Sequence, residues 1–109
     1  MMILTNSFAA LSDDTRFAVV ERLMKEGELP AGKLLEGVEL SAPAMSRHLK
    51  VLRKAGLINQ RVAGTQRLYS VRPEAMKAIV DWTMDHRMFW EASLDRLEAH
   101  LALEKEPEE

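Results

Sequence analysis

The stretch from Ser41 to Gly56 constrains this chain more than any other. It reads Ser-Ala-Pro-Ala-Met-Ser-Arg-His-Leu-Lys-Val-Leu-Arg-Lys-Ala-Gly and predicts one helix with marked ends. The Ser41 hydroxyl can cap the first turn. Pro43 is tolerated there because its missing N–H would have no intrahelical partner. Gly56 follows the last turn, where a left-handed residue is wanted. Met45, Leu49 and Leu52 recur at steps of four and three and predict a buried stripe. Ser46, Arg47, Lys50, Arg53 and Lys54 lie off that stripe, so the helix has an apolar back and a basic, hydroxyl-bearing front. A basic front is often only a solvated surface. It also suits a helix in a DNA major groove, where guanidinium and hydroxyl groups reach base edges and phosphates.

The surrounding charge favours the second reading. Residues 41–72 carry seven Lys or Arg and no Asp or Glu. Residues 1–40 carry four bases and seven acids, and residues 73–109 carry four bases and ten acids. The formal net charge of −2 therefore conceals one strongly positive segment, which points to a polyanionic partner.

At 109 residues the chain is expected to form a single domain over 1–104, followed by an acidic, frayed tail at 105–109. The start, Met1 to Leu11, lacks the basic opening of a signal peptide, and no run is long enough to span a bilayer. The sequence contains no cysteine, which excludes disulfides and thiolate metal sites. These features fit a cytoplasmic protein. No catalytic residue is expected: there is no phosphate-cradling glycine loop, and Ser46 and His48, two apart on a helix, point in different directions.

Taken in order, Ile3 to Leu11 predicts a short helix with Leu4, Phe8 and Leu11 on one side, too short to stand alone. Ser12 is expected to open a second helix with Asp13 and Asp14 in its first turn, Phe17, Val20, Leu23 and Met24 buried, and Gly27 at its end. Leu29-Pro30 reads as a connector. Ala31 to Glu36 predicts a brief helix burying Leu34 and Leu35, and a tight link then leads into Ser41. Two short helices joined this way, the second with a basic front, make a helix-turn-helix. Leu57–Ala63 and Gln66–Arg72 are strand-like runs around Gly64-Thr65, a hairpin that forms a wing with Arg61 and Arg67 near its tip. From Pro73 to about Glu104 no further proline or glycine intervenes, which predicts one helix of about 30 residues, roughly 45 Å long. Its apolar residues include Ile79, Trp82, Phe89, Trp90, Leu94, Leu97 and Leu101. So long a helix calls for cover by a partner subunit, an antiparallel copy with the N-terminal helix (Leu4, Phe8) alongside, or else for a kink or break that folds it back on its own chain.

This order of elements resembles the ArsR-type winged-helix repressors. The most specific match is Ser41 to Ile58: a serine, a proline two residues on, Ser46-Arg47-His48-Leu49, Leu52 and Ala55-Gly56-Leu57. Asp14-Thr15-Arg16 and Gly64-Thr65-Gln66-Arg67-Leu68-Tyr69 also look like the family, and the resemblance covers roughly residues 5–103. It implies a mainly α fold: a winged helix-turn-helix with a two-stranded hairpin wing and a long C-terminal dimerisation helix. It further implies a homodimeric repressor of its own or an adjacent operon, bound to a near-palindromic operator of double-stranded DNA.

Carried over residue by residue, Ser41, Ala42, Ser46, Arg47 and Lys50 fall where the family contacts DNA, and Lys54 extends that front. His48 matches the family's histidine, with two placements open, against a phosphate or at the helix–core boundary. In the wing, Arg61, Thr65, Gln66 and Arg67 are placed for backbone or minor-groove contacts. The chain departs from the metal-sensing members. The region around Glu28 to Leu35 has no cysteine pair, and Asp85, His86, His100 and Glu104 miss the spacing of the subgroup that binds metal on the last helix. No cofactor or metal is expected, and the effector is not legible. Trp82, Phe89 and Trp90 either line a pocket or fill a dimer core. Two other functions stand beside the repressor: a protein-interaction module on the same scaffold, and a repressor responding to metal through imidazole and carboxylate.

Overall fold

The computed structural model of the chain describes residues 2–104, so the acidic tail expected at 105–109 lies outside the described residues. The elements run α1 (Met2–Leu11), α2 (Asp14–Glu26), β1 (Leu29–Pro30), α3 (Ala31–Leu35), α4 (Ala42–Lys54), β2 (Ile58–Ala63), β3 (Gln66–Val71), α5 (Pro73–Asp85) and α6 (Arg87–Glu104). The chain divides into two compact units, one ending at Ala78 and the other beginning at Ile79.

In the first unit, Ser7 and Ala10 of α1, Val19, Val20 and Leu23 of α2, Leu34 of α3 and Met45, Leu49 and Leu52 of α4 close on Leu57, Ile58 and Tyr69. Two expectations for α2 are corrected. Its N-cap is Asp13, whose carboxylate accepts from the Arg16 N–H at 3.0 Å, while Ser12 Oγ donates back to Ala9 O at 2.6 Å and terminates α1. The buried face holds Val19, Val20 and Leu23, whereas Phe17 and Met24 are 50% and 53% exposed. The helical steps forecast a stripe, but its phase is set by α1, α4 and β3, which pack against α2. Leu34 is buried as expected, and Leu35 only half-buried.

The helix α4 follows its sequence closely. Ser41 Oγ accepts from the Ala44 N–H at 3.2 Å, and Pro43 sits in the first turn. At the far end Gly56 takes φ +80°, and the Leu57 N–H reaches back to Leu52 O at 3.0 Å. That six-to-one bond satisfies a carbonyl the helix would otherwise leave unpaired.

The hairpin pairs Ile58 with Val71 through to Ala63 with Gln66, and Gly64 takes φ +63° in the two-residue turn. The sheet has three strands, not the two of the hairpin alone, in the order β1-β3-β2. Leu29-Pro30, expected as a connector, pairs with Tyr69 and Leu68 as β1. Proline fits because this is an edge strand, where one face of the backbone needs no ladder partner.

In the second unit the expected single helix is interrupted at His86. The His86 N–H bonds to Thr83 O at 3.3 Å, a tightened turn, while its ring Nδ1–H donates to Trp82 O at 2.8 Å. The side chain thus takes the carbonyl that the backbone would have used. Thr83 Oγ1 adds a back-bond to Ile79 O at 2.9 Å. The Trp90 N–H then bonds to His86 O and helix resumes, with Arg87 pairing Glu91 at 2.8 Å. Neither proline nor glycine is involved, so the composition of 74–104 gave no sign of the break. No residue of α6 is buried, and among the described residues no helix is long and apolar enough to cross a membrane.

Candidate nucleic-acid interface

The buried stripe of α4 fixes which residues face outward. Met45, Leu49 and Leu52 anchor the helix, and Ser41, Ala42, Ser46, Arg47, Lys50 and Lys54 are exposed. Helical spacing puts Ser46, Arg47, Lys50 and Lys54 on the side opposite the core. Among the described residues no carboxylate pairs with Arg47, Lys50, Arg53, Lys54 or Arg67. Their charges are therefore available to an incoming polyanion.

At the base of the hairpin, Lys50, Arg53 and Lys54 meet Asn59, Gln60 and Arg72 around a polar cleft of about 490 Å³. Arg53, Asn59, Gln60 and Arg72 were missing from the expected contact set. Arg53 and Arg72 belonged to the counted basic segment, but only pairing of β2 with β3 brings Arg72 back beside α4. The bond from the Arg72 N–H to Leu57 O at 2.9 Å holds that closure.

The wing residues separate. Thr65, Gln66 and Arg67 are exposed at the tip, and Gln66 and Arg67 line another cleft with Pro30, Ala31, Gly32, Lys33 and Glu36. Arg61 faces Leu68 across the hairpin and Arg67 faces Val62, so the two arginines lie on opposite faces. Arg61 is held by Glu28, Nε to Oε2 at 2.7 Å and Nη2 to Oε1 at 2.6 Å. The hydrogen bonds from Arg61 pull the Glu28 carboxyl below the usual carboxylate range, and the same bonds raise Arg61.

His48 sits half-buried on the flank of α4. Its Nδ1 is 3.4 Å from Arg16 Nη1 and 3.7 Å from Asp13 Oδ2. Asp13 is itself lowered, chiefly by the backbone N–H of Arg16. In the second unit, His100 Nε2 lies 2.9 Å from Glu104 Oε1, and among the described residues no three metal-ligating side chains cluster.

A family model described as a helix-turn-helix domain matches residues 11–61. The HTH-type transcriptional regulator Rv2034 of Mycobacterium tuberculosis is 42% identical over 88 residues, covering 81% of this chain and 78% of that protein. A crystal structure of an ArsR family transcriptional regulator matches with a TM-score of 0.74 at 28% identity, over 82% of this chain and 97% of that one.

The chain belongs to the ArsR-type winged helix-turn-helix regulators. The transcriptional repressor SdpR of Bacillus subtilis, 30% identical over 82 residues, covers 75% of this chain and 90% of its own. These two relatives and the structural neighbour are transcriptional regulators. Within an ArsR-type fold α3 and α4 form the helix-turn-helix and β2–β3 the wing.

Proposed function

We propose that the protein is a homodimeric transcriptional repressor that binds a near-palindromic operator in its own or an adjacent operon. The helix α4 enters the major groove, and the wing lies beside it. The observation that carries this reading is the acid-free segment 41–72, folded so that Arg47, Lys50 and Lys54 share the outward face of α4 with Ser46. Ser41, Ala42, Ser46, Arg47, His48, Lys50 and Lys54 contact DNA from the helix, and Thr65, Gln66 and Arg67 from the wing. Arg61 joins them by leaving Glu28 for a phosphate. Phosphate contacts set the register, and Arg47 reads a base edge.

The dimer reading is supported by apolar side chains left uncovered in one chain. Trp90, Leu94, Leu97 and Leu101 follow helical steps along α6 and are 50%, 62%, 54% and 44% exposed. Phe89 and Trp82 are exposed as well, Ile79 is half-buried, and on α1 Phe8 is exposed with Leu4 half-buried. A second copy covers these residues, because so large an apolar surface is otherwise unfavourable in water.

The test is binding of the purified protein to its own upstream DNA at several salt concentrations, with sedimentation to read the assembly and with zinc or nickel added in parallel. Steeply salt-dependent, sequence-specific binding by a dimer is expected, unchanged by metal. Binding no tighter than to random DNA, with another protein co-purifying, would replace the repressor by an interaction module.

A further inference from the structure

We propose that Arg16 is a positioning residue for DNA binding: by donating to His48 Nδ1 it holds the imidazole in the Nε2–H form, and Nε2–H donates to a DNA phosphate beside α4. The phosphate half rests on the repressor reading, while the Arg16–His48 half stands without it.

Arg16 joins three helices. Its backbone N–H donates to Asp13 Oδ2 at 3.0 Å, its Nε donates to Ala10 O of α1 at 2.6 Å, and its Nη1 stands 3.4 Å from His48 Nδ1 on α4. A guanidinium only donates and keeps its charge. Nδ1 must therefore present its lone pair to Arg16, which leaves the ring proton on Nε2. The other group facing Nδ1 is the Asp13 carboxylate. Its Oδ2 is 3.7 Å away, beyond hydrogen-bond reach, and already accepts from the Arg16 N–H.

The bond from Nε to Ala10 O fixes where the guanidinium can lie, so its Nη1 is aimed rather than free. His48 follows Arg47 on α4 and sits on a half-buried flank, between the core stripe and the exposed side of the helix. With the Arg16 donor removed, the ring turns its Nδ1–H to Asp13, and Nε2 becomes an acceptor. An acceptor facing a phosphate oxygen repels it, so loss of Arg16 converts an attractive contact into a repulsive one without touching DNA.

The tautomer is read directly by long-range proton–nitrogen correlation spectra of the histidine-labelled protein near neutral pH. The parent and Asp13→Asn should show the Nε2–H form, and Arg16→Met should shift His48 to Nδ1–H. A parent in the Nδ1–H form, or a tautomer unmoved in Arg16→Met, overturns the positioning role. If circular dichroism shows Arg16→Met unfolded, the parent spectrum decides the positioning role by itself: Nε2–H supports it and Nδ1–H overturns it.

Binding is then measured on a duplex from the chain's own upstream region and on an unrelated duplex. His48→Asn and Arg16→Met should each bind both about tenfold more weakly, the size of one lost hydrogen bond to a charged group. His48→Gln carries an amide donor where Nε2–H lies and should bind within about threefold of the parent. Adding His48→Gln to Arg16→Met should restore binding, because an amide keeps its donor whatever Arg16 does. A merely structural Arg16 would give no such rescue, and its absence overturns the proposal. If the parent binds neither duplex, the phosphate half falls with the repressor reading, and the spectra alone decide the Arg16–His48 pair.

Discussion

Arg61 of β2 and Glu28, the residue before β1, form a two-pronged ion pair with both contacts at 2.7 Å or less. It bridges residues 33 apart in sequence and ties the edge strand to the hairpin at the surface. It also neutralises one of the seven cations of the basic segment. Removing the carboxylate charge in Glu28→Gln frees Arg61 for phosphate. The variant should bind duplex DNA more tightly at a nearly unchanged salt slope, because the parent must first break this pair to bring Arg61 to the same phosphate. Fluorescence anisotropy across a salt series checks this, and an affinity no tighter than the parent's would remove Arg61 from the contact set.

The same pair shapes the acid limb of stability. Glu28 is held below the ordinary carboxylate range by Arg61, and Asp13 by the Arg16 N–H. A carboxyl group lowered in the folded state adds stability above its ordinary pKa, and that stability is lost as pH falls through the folded value. Thermal stability should therefore fall below about pH 4. The double variant Asp13→Asn with Glu28→Gln should show a shallower decline over that range. Both groups are well solvated, so the difference is a change of slope and not a collapse.

Arg47 stands on the outward face of α4 with no carboxylate partner among the described residues. Arg47→Ala should cost about 1–3 kcal/mol of operator binding if Arg47 makes a bidentate base contact, and less on random DNA. Competition between operator and random duplexes separates the two. Equal losses on both would make Arg47 a phosphate ligand.

Leu49 is 1% exposed at the centre of the α4 stripe. Leu49→Ala should lower folding stability by about 2–5 kcal/mol, since truncation leaves a cavity among packed neighbours. Urea titration measures this as a lower midpoint at unchanged slope.

Leu97 lies mid-way along α6 and is exposed in the single chain. Leu97→Glu should shift sedimentation from dimer toward monomer and weaken operator binding, while the far-ultraviolet dichroism of the helices is kept. A variant that remains dimeric would place the subunit contact elsewhere.

Much of the fold was legible because its signals are local. The limits of α4 were written in Ser41, Pro43 and Gly56, and its buried face in Met45, Leu49 and Leu52. The wing was announced by two alternating runs around Gly64. What escaped the sequence depended on a choice between equivalent local patterns. Phe17 and Met24 obey helical spacing as well as Val19 and Leu23 do, and only the neighbours packed against α2 chose between them. Ser12 and Asp13 are both good caps, and the backbone bend placed Asp13 at the helix start. His86 belongs to a run without a breaker, yet its ring captures Trp82 O and ends α5.

The winged helix-turn-helix and the basic front of α4 can be read along the chain, because capping, periodicity and charge act over a few neighbouring residues. The tertiary structure alone decided that Leu29-Pro30 becomes a strand against Tyr69 and Leu68, that Arg72 closes a cationic cleft with Lys50 and Arg53, and that Arg16 meets His48. Each of these joins residues far apart in the chain, and their meeting is fixed by the packing of the core rather than by local propensity.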